Sequence, residues 1–147
     1  MKIAIGSDHA AFDMKEKVKL LLQSQKIEVL DCGTFSSERA DYPDYAIKVS
    51  KAVHDKTAEL GILLCGSGIG VSIVANRFKG IRAALCRTKS DAELSKKHNN
   101  ANVLCLAART NTEDEIKAIV TTWLENEFEG GRHADRLKIF ENLGDDC

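Results

Sequence analysis

A cysteine stands directly before a run of alternating glycines, Cys65-Gly66-Ser67-Gly68-Ile69-Gly70. Glycine at every second position lets the backbone approach a ligand without a Cβ in the way. Where a helix starts just after such a loop, its first turn leaves amide donors free and carries partial positive charge, a setting suited to an oxyanion or a phosphate. The same field favours the thiolate of a neighbouring cysteine, which can act as base or nucleophile. A tight turn after a buried, inert cysteine would use the same residues, so the loop alone does not decide. Two specific alternatives fit poorly. A dinucleotide fingerprint reads Gly-x-Gly-x-x-Gly after the first strand with an acidic residue about 20 positions on, whereas this loop reads Gly-x-Gly-x-Gly after the third. A tyrosine-phosphatase-like nucleophile needs an arginine six places after the cysteine, and Val71 stands there.

Further candidates lie elsewhere in the chain. Asp8-His9 offers an acid/base or phosphate-contacting pair, or simply a helix N-cap with a histidine beside it. Arg132 and Arg136 are spaced i, i+4 and share one helix face. They form either a fork for a phosphate dianion or a solvated basic face, and by this spacing the adjacent His133 points elsewhere. Arg109 follows a strand and invites either an anion or a surface ion pair. His98-Asn99 closes a helix after Lys96-Lys97; a histidine there is a dipole-stabilising cap or a proton-transfer group. Tyr42 precedes Pro43 at a helix start.

The elements that must position these residues follow from periodicity. Strands are expected at 2–6, 27–30, 60–64, 81–85 and 103–107, the third apolar on both faces. Helices are expected at 10–25, from Pro43 to about His54, after Gly70 to about Arg77, at 90–97, from Asn111 or Thr112 to about Phe128, and from about 132 to 143. Thr112 with Glu115 fits a capping box. Strands apolar on both faces and alternating with helices indicate a parallel sheet covered on each side. The fold class is therefore α/β, a doubly wound, Rossmann-like three-layer sandwich of about five strands in one domain over 1–147. In such folds ligands sit beyond the carboxyl ends of the strands, so the polar candidates are expected to gather at that edge.

Composition bounds the rest. The 147 residues carry 44% hydrophobic and 29% charged residues and a net charge of −1. This is the profile of a globular chain without a global field to recruit nucleic acid or a membrane surface. The short apolar run at the N-terminus is neither a signal peptide nor a membrane span, so a cytoplasmic location is expected. Cys32, Cys65, Cys86, Cys105 and Cys147 are odd in number, widely spaced and lack a Cys-x-x-Cys pair. They therefore suggest neither a disulfide framework nor a zinc site.

In this order the motifs closely resemble the type B ribose-5-phosphate isomerases and their galactose-6-phosphate isomerase relatives. The markers are Gly6-Ser7-Asp8-His9, the segment from Gly33-Thr34 through Ser36-Ser37-Glu38-Arg39 to Asp41-Tyr42-Pro43, and Cys65 through Gly70. Gly80-Ile81-Arg82-Ala83, His98-Asn99, Asn102-Val103-Leu104, Arg109, and Glu129-Gly130-Gly131-Arg132-His133 with Arg136 complete them. The resemblance implies interconversion of ribose 5-phosphate and ribulose 5-phosphate, a step of the pentose phosphate pathway, through a cis-enediolate. Cys65 would be the base, His98 the ring-opening residue, and Ser67 an aid to proton movement. His9, Arg109, Arg132 and Arg136 would hold the phosphate. Asp8, Tyr42 and Asn99 would contact sugar hydroxyls, and the amides of Gly66, Ser67, Gly68, Ile69 and Gly70 would line an anion hole. No metal or other cofactor is implied. Family members are dimers or tetramers with shared sites, and His98, Asn99 and Arg109 would come from the partner subunit. Galactose 6-phosphate or allose 6-phosphate would suit the same chemistry. A non-catalytic phosphate-binding module would need the loop and arginines but not Cys65 or His98.

Overall fold

The computed structural model describes residues 1–146, so Cys147 lies outside the described residues. Five strands form one parallel sheet: β1 (Lys2–Ser7), β2 (Glu28–Asp31), β3 (Leu60–Cys65), β4 (Ala83–Leu85) and β5 (Val103–Ala107). Their order across the sheet is β2-β1-β3-β5-β4. Six helices complete the fold: α1 (Phe12–Ser24), α2 (Tyr42–His54), α3 (Ile69–Ala75), α4 (Lys89–Lys97), α5 (Glu113–Glu125) and α6 (Arg132–Lys138), with a short 3₁₀ turn at His9–Ala11 before α1.

The alternation of side chains along each strand divides the core in two. Ile3, Ile5, Ile62, Leu64, Leu104 and Leu106 face Val18 and Leu22 of α1 and Ile116, Ile119 and Trp123 of α5. On the other face, Ala4, Leu63, Cys65 and Cys105 pack with Val49 of α2 and with Val71 and Ala75 of α3. The sheet is therefore covered on both sides, as the apolar pattern predicts. Gly6 and Gly61 let α2 sit close: an added Cβ would lie 2.9 Å and 2.8 Å from the Val49 methyl groups.

All five expected strands and all six expected helices are found, and the differences fall at their ends. Thr112 and Glu115 form the capping box of α5, and Thr88 with Asp91 forms another at α4. The last helix stops at Lys138 instead of continuing to 143. There the chain leaves the helical path to pair its backbone elsewhere: the Lys79 amide donates to the Asp145 carbonyl at 2.8 Å, and the Asp145 amide to Arg77 at 2.8 Å. Helix α5 ends three residues before Phe128, because Asn126 is extended (φ −102°, ψ 145°). Strand β4 starts at Ala83, since Asn102 Oδ1 takes the Arg82 amide at 2.7 Å and draws that residue out of the ladder.

One buried ion pair braces the β2 end of the sheet. Lys15 is fully buried, and its ammonium donates to both Asp31 oxygens at 2.7 and 2.8 Å. Asp31 also accepts the Gly33 amide at 3.0 Å, which fixes where the loop over 32–41 begins. Burial alone would raise the Asp31 carboxyl, but hydrogen bonds from Lys15, Gly33 and Lys19 outweigh it and hold the group below its ordinary range. A lowered folded-state value means the stabilisation is present above the unfolded carboxyl value and is lost as pH falls through the folded one. Replacing one partner leaves a buried charge uncompensated, at a cost of about 3–5 kcal/mol. Glu16, 2.9 Å from Lys15, places Asp31→Ala near the lower end of that range. Denaturant melts of Asp31→Ala should show that loss, and an unchanged midpoint would contradict the role given to the pair.

Candidate active site

The chain order places a topological switch point between β1 and β3: from β1 the connections run to β2 on one side and on to β3 on the other. In parallel α/β sheets the crevice beyond the strand ends at that point is where ligands bind. Asp8 and His9 follow β1 there, and Cys65 ends β3.

Cys65 is 4% exposed. The loop folds back on its sulfur, and the Gly68 amide donates to Cys65 Sγ at 3.1 Å. Gly68 is left-handed, with φ 73°, and a Cβ on it would lie 2.5 Å from Leu85 Cδ1 and 3.0 Å from the Leu106 carbonyl carbon. Only glycine satisfies both demands, and this tight turn aims the amide at the sulfur. Ser67 Oγ accepts the Ile69 amide at 3.2 Å. Among the described residues, the Ser67 and Gly70 amides have no protein acceptor, so donors remain for an anion.

Two further residues close around the loop, and His9 and Asp8 are fixed after β1. The Tyr42 ring lies against Gly70, where a Cβ would stand 2.6 Å from its Cζ. Arg109 lies over Gly66, its Cδ 3.1 Å from the position of a Cβ there. The backbone reinforces this contact, because the Ala108 amide donates to Cys65 O at 2.9 Å and the Arg109 amide to Gly66 O at 3.0 Å. The His9 ring is held against Ala40, with Nδ1 3.0 Å from its carbonyl oxygen and 3.2 Å from its amide nitrogen. Asp8 Oδ1 accepts the Ala11 amide at 3.1 Å, capping the 3₁₀ turn.

The remaining predicted residues are not at this edge. Gly61, the second residue of β3, donates to Asn102 O, so the segment after α4 is level with the start of β3. Cys65 is four residues further along, about 13 Å away at the rise of a strand. His98 caps the C-terminal end of α4, and Asn99 follows it on this far side. Arg132 and Arg136 lie here too: the Glu129 amide donates to Lys97 O at 3.1 Å, and the His133 ring of α6 stacks on His98 with centroids 4.2 Å apart. The expectation that all polar candidates share one edge therefore fails within a single chain. The expected grouping of Arg109 with His98 and Asn99 changes as well, since Arg109 sits with Cys65 while Arg132 and Arg136 sit with His98. Among the described residues, Arg109, Arg132 and Arg136 form no ion pair, leaving three guanidinium groups for an anionic ligand. A cleft of about 660 Å³ opens at the far edge, lined by Phe78, Arg82, Asn99, Leu137 and Phe140; Cys65, Asp8 and His9 are not among its walls.

Sequence reasoning missed two members of the far cluster. His133 is buried against His98 instead of pointing away, and Glu129 Oε2 lies 3.9 Å from His98 Nε2 and 3.8 Å from His133 Nε2. The available signal was Gly130-Gly131, both with positive φ, which turn the chain back beneath His98.

Residues 3–140 match the model of the family described as Ribose/Galactose Isomerase. The chain belongs to that family. Within this isomerase family it is 46% identical over 137 residues to ribose-5-phosphate isomerase B of Escherichia coli, covering 93% of this chain and 92% of that one. A crystal structure of a ribose 5-phosphate isomerase from Thermotoga maritima superposes with a TM-score of 0.93 at 52% identity, covering 95% and 97% of the two chains. Ribose-5-phosphate isomerase B of Mycoplasma genitalium, solved with bound ribulose-5-phosphate, superposes with a TM-score of 0.92 at 39% identity, covering 95% and 93%. No helix among the described residues is long and apolar enough to cross a membrane.

The loop geometry is directly testable. Gly68→Ala forces a side chain into a left-handed residue, at about 1–2 kcal/mol, and also into Leu85 and Leu106. The variant should melt earlier and lose its catalytic activity. Wild-type stability with wild-type turnover would show that the loop does not need this conformation.

Proposed function

We propose that the protein interconverts ribose 5-phosphate and ribulose 5-phosphate, with Cys65 as the base. The observation that carries this reading is a buried cysteine at the switch point, accepting a glycine-loop amide and flanked by the unpaired Arg109. The names of the relatives agree with it. The Mycoplasma genitalium neighbour binds ribulose-5-phosphate itself, and the pentose phosphates are therefore favoured over hexose phosphates.

Arginine side chains and His9 anchor the phosphate and thereby fix the reacting carbons. His98 delivers a proton to the ring oxygen as its bond to C1 breaks, while the anomeric hydroxyl gives its proton to water and becomes the aldehyde. The Cys65 thiolate then takes the proton from C2 and returns it to C1. Between those steps a cis-enediolate carries negative charge on oxygen, close to the free loop amides; an oxyanion donor of this kind is worth about 3–4 kcal/mol of barrier. Ser67 moves a proton between the two oxygens, and Asp8, Tyr42 and Asn99 hold hydroxyls. A proton is relocated and the substrate keeps its electrons overall, so the reaction requires no redox cofactor.

The division of the candidates between two sheet edges supports a site shared by two copies. One copy supplies Cys65, the glycine loop, Asp8, His9, Tyr42 and Arg109. The other supplies His98, Asn99, Arg132 and Arg136. Ile69 and Ile73, one turn apart on α3 beside the loop, are 45% and 62% exposed, and a second copy would cover them. A dimer is the smallest assembly that satisfies this arrangement. The cysteines described are all free, in keeping with a reducing cytoplasmic location.

Purified Cys65→Ala should lose nearly all turnover of ribose 5-phosphate, measured by ribulose 5-phosphate formation, while still binding the sugar phosphate. Normal turnover would eliminate the assigned base. Cys65→Ala and His98→Asn should each be inactive alone, but an equal mixture after subunit exchange should recover about a quarter of wild-type activity, because half of the dimers then carry one intact site. No recovery from subunits shown to have exchanged would rule out the shared arrangement.

A further inference from the structure

His98 has 39% of its side chain exposed, and the torsion that turns an imidazole is broad and weakly restrained by itself. Something must hold the ring if it is to deliver a proton to one oxygen. Its rigid contact is His133, whose ring lies 4.2 Å away and within 13° of parallel. His133 is buried. Burial first, then the neighbouring His98 and Arg132, push it below the ordinary histidine range against the pull of Glu129, with Arg136 adding to the depression. It thus offers His98 a buried, fixed face to stack on. Glu129 reaches both Nε2 atoms from one oxygen, at 3.9 and 3.8 Å, and its backbone is tied to Lys97 O at the end of α4. Its carboxylate is therefore anchored to the helix that carries His98.

The same three residues have donor atoms within 4.8 Å of one another, which raises the question of a metal. A tetrahedral cation needs ligand lone pairs converging on one point about 2.0–2.1 Å from each nitrogen. Two rings stacked almost parallel aim their lone pairs side by side, so the trio frames a proton-transfer group better than an ion.

Building on the reading of His98 as the ring-opening residue, we propose that His133 and Glu129 are its positioning residues: His133 fixes the plane of the His98 ring by stacking, and Glu129 holds its Nε2–H by charge. Their work concerns ring opening alone and leaves proton abstraction at Cys65 untouched.

That separation gives the test. Ribulose 5-phosphate has its C5 oxygen esterified and cannot close to a furanose, so exchange of its C1 hydrogen with solvent deuterium needs the Cys65 step but no ring chemistry. Wild type, Glu129→Gln, His133→Ala and His133→Phe are compared for this exchange by NMR and for net conversion of ribose 5-phosphate. Glu129→Gln and His133→Ala should keep exchange within about twofold of wild type and lose about tenfold or more in conversion, a portion of what a positioned proton donor supplies. His133→Phe restores a stacked ring and should recover most of the conversion lost in His133→Ala. Conversion at the wild-type rate in both Glu129→Gln and His133→Ala, or exchange falling in step with conversion, overturns the proposal. His98→Asn separates the two levels: if it loses exchange as fully as conversion, the ring-opening reading of His98 fails; if it loses only conversion, a negative result in the other variants falls on the positioning claim.

Discussion

The architecture depends on the polarity of a parallel sheet. All five strands point the same way, so each carboxyl end opens at one edge and each amino end at the other. The reversal of winding between β1 and β3 leaves a crevice at the carboxyl edge that no crossover connection covers. Asp8, His9, Cys65 and the glycine loop occupy it because they directly follow those two strands. The left-handed Gly68 then turns an amide onto the sulfur, and Tyr42 and Arg109 can close in because Gly70 and Gly66 present no Cβ.

That polarity also explains which parts of the molecule were legible in the sequence. Strand positions to within a residue or two at their ends, the capping box at Thr112 and Glu115, and the loop after β3 follow from residue type and spacing. The division of the candidate residues between two edges was legible in principle. His98 precedes β5 and Cys65 ends β3, so in a parallel sheet the two belong to opposite edges. Grouping them by chemical character alone hides that conflict. The contact between His98 and His133 was not legible, because it depends on the angle at which Gly130 and Gly131 return the chain, and no periodicity encodes that angle. The early end of α6 was hidden for a similar reason: the backbone of Arg77 and Lys79 competes for Asp145 from nearly seventy positions away.

The surroundings of the site are braced from more than one side. Lys15 and Asp31 fix the start of the loop whose other end, at Ala40, holds the His9 ring. A charge pair buried under the β2 edge is thus connected through backbone to an imidazole at the crevice. Tyr42, at the first position of α2, is seated by packing against Gly70 and keeps 39% of its surface exposed.

Two backbone hydrogen bonds, from Ala108 to Cys65 and from Arg109 to Gly66, join the end of β5 to the loop after β3. The backbones that carry the guanidinium and the sulfur are thus tied to each other through peptide units. An anion captured by Arg109 would therefore load the thiol's own scaffold directly. The energy of gripping a distant, unreactive group would be stored as alignment at the reacting atoms instead of dissipating in loop motion.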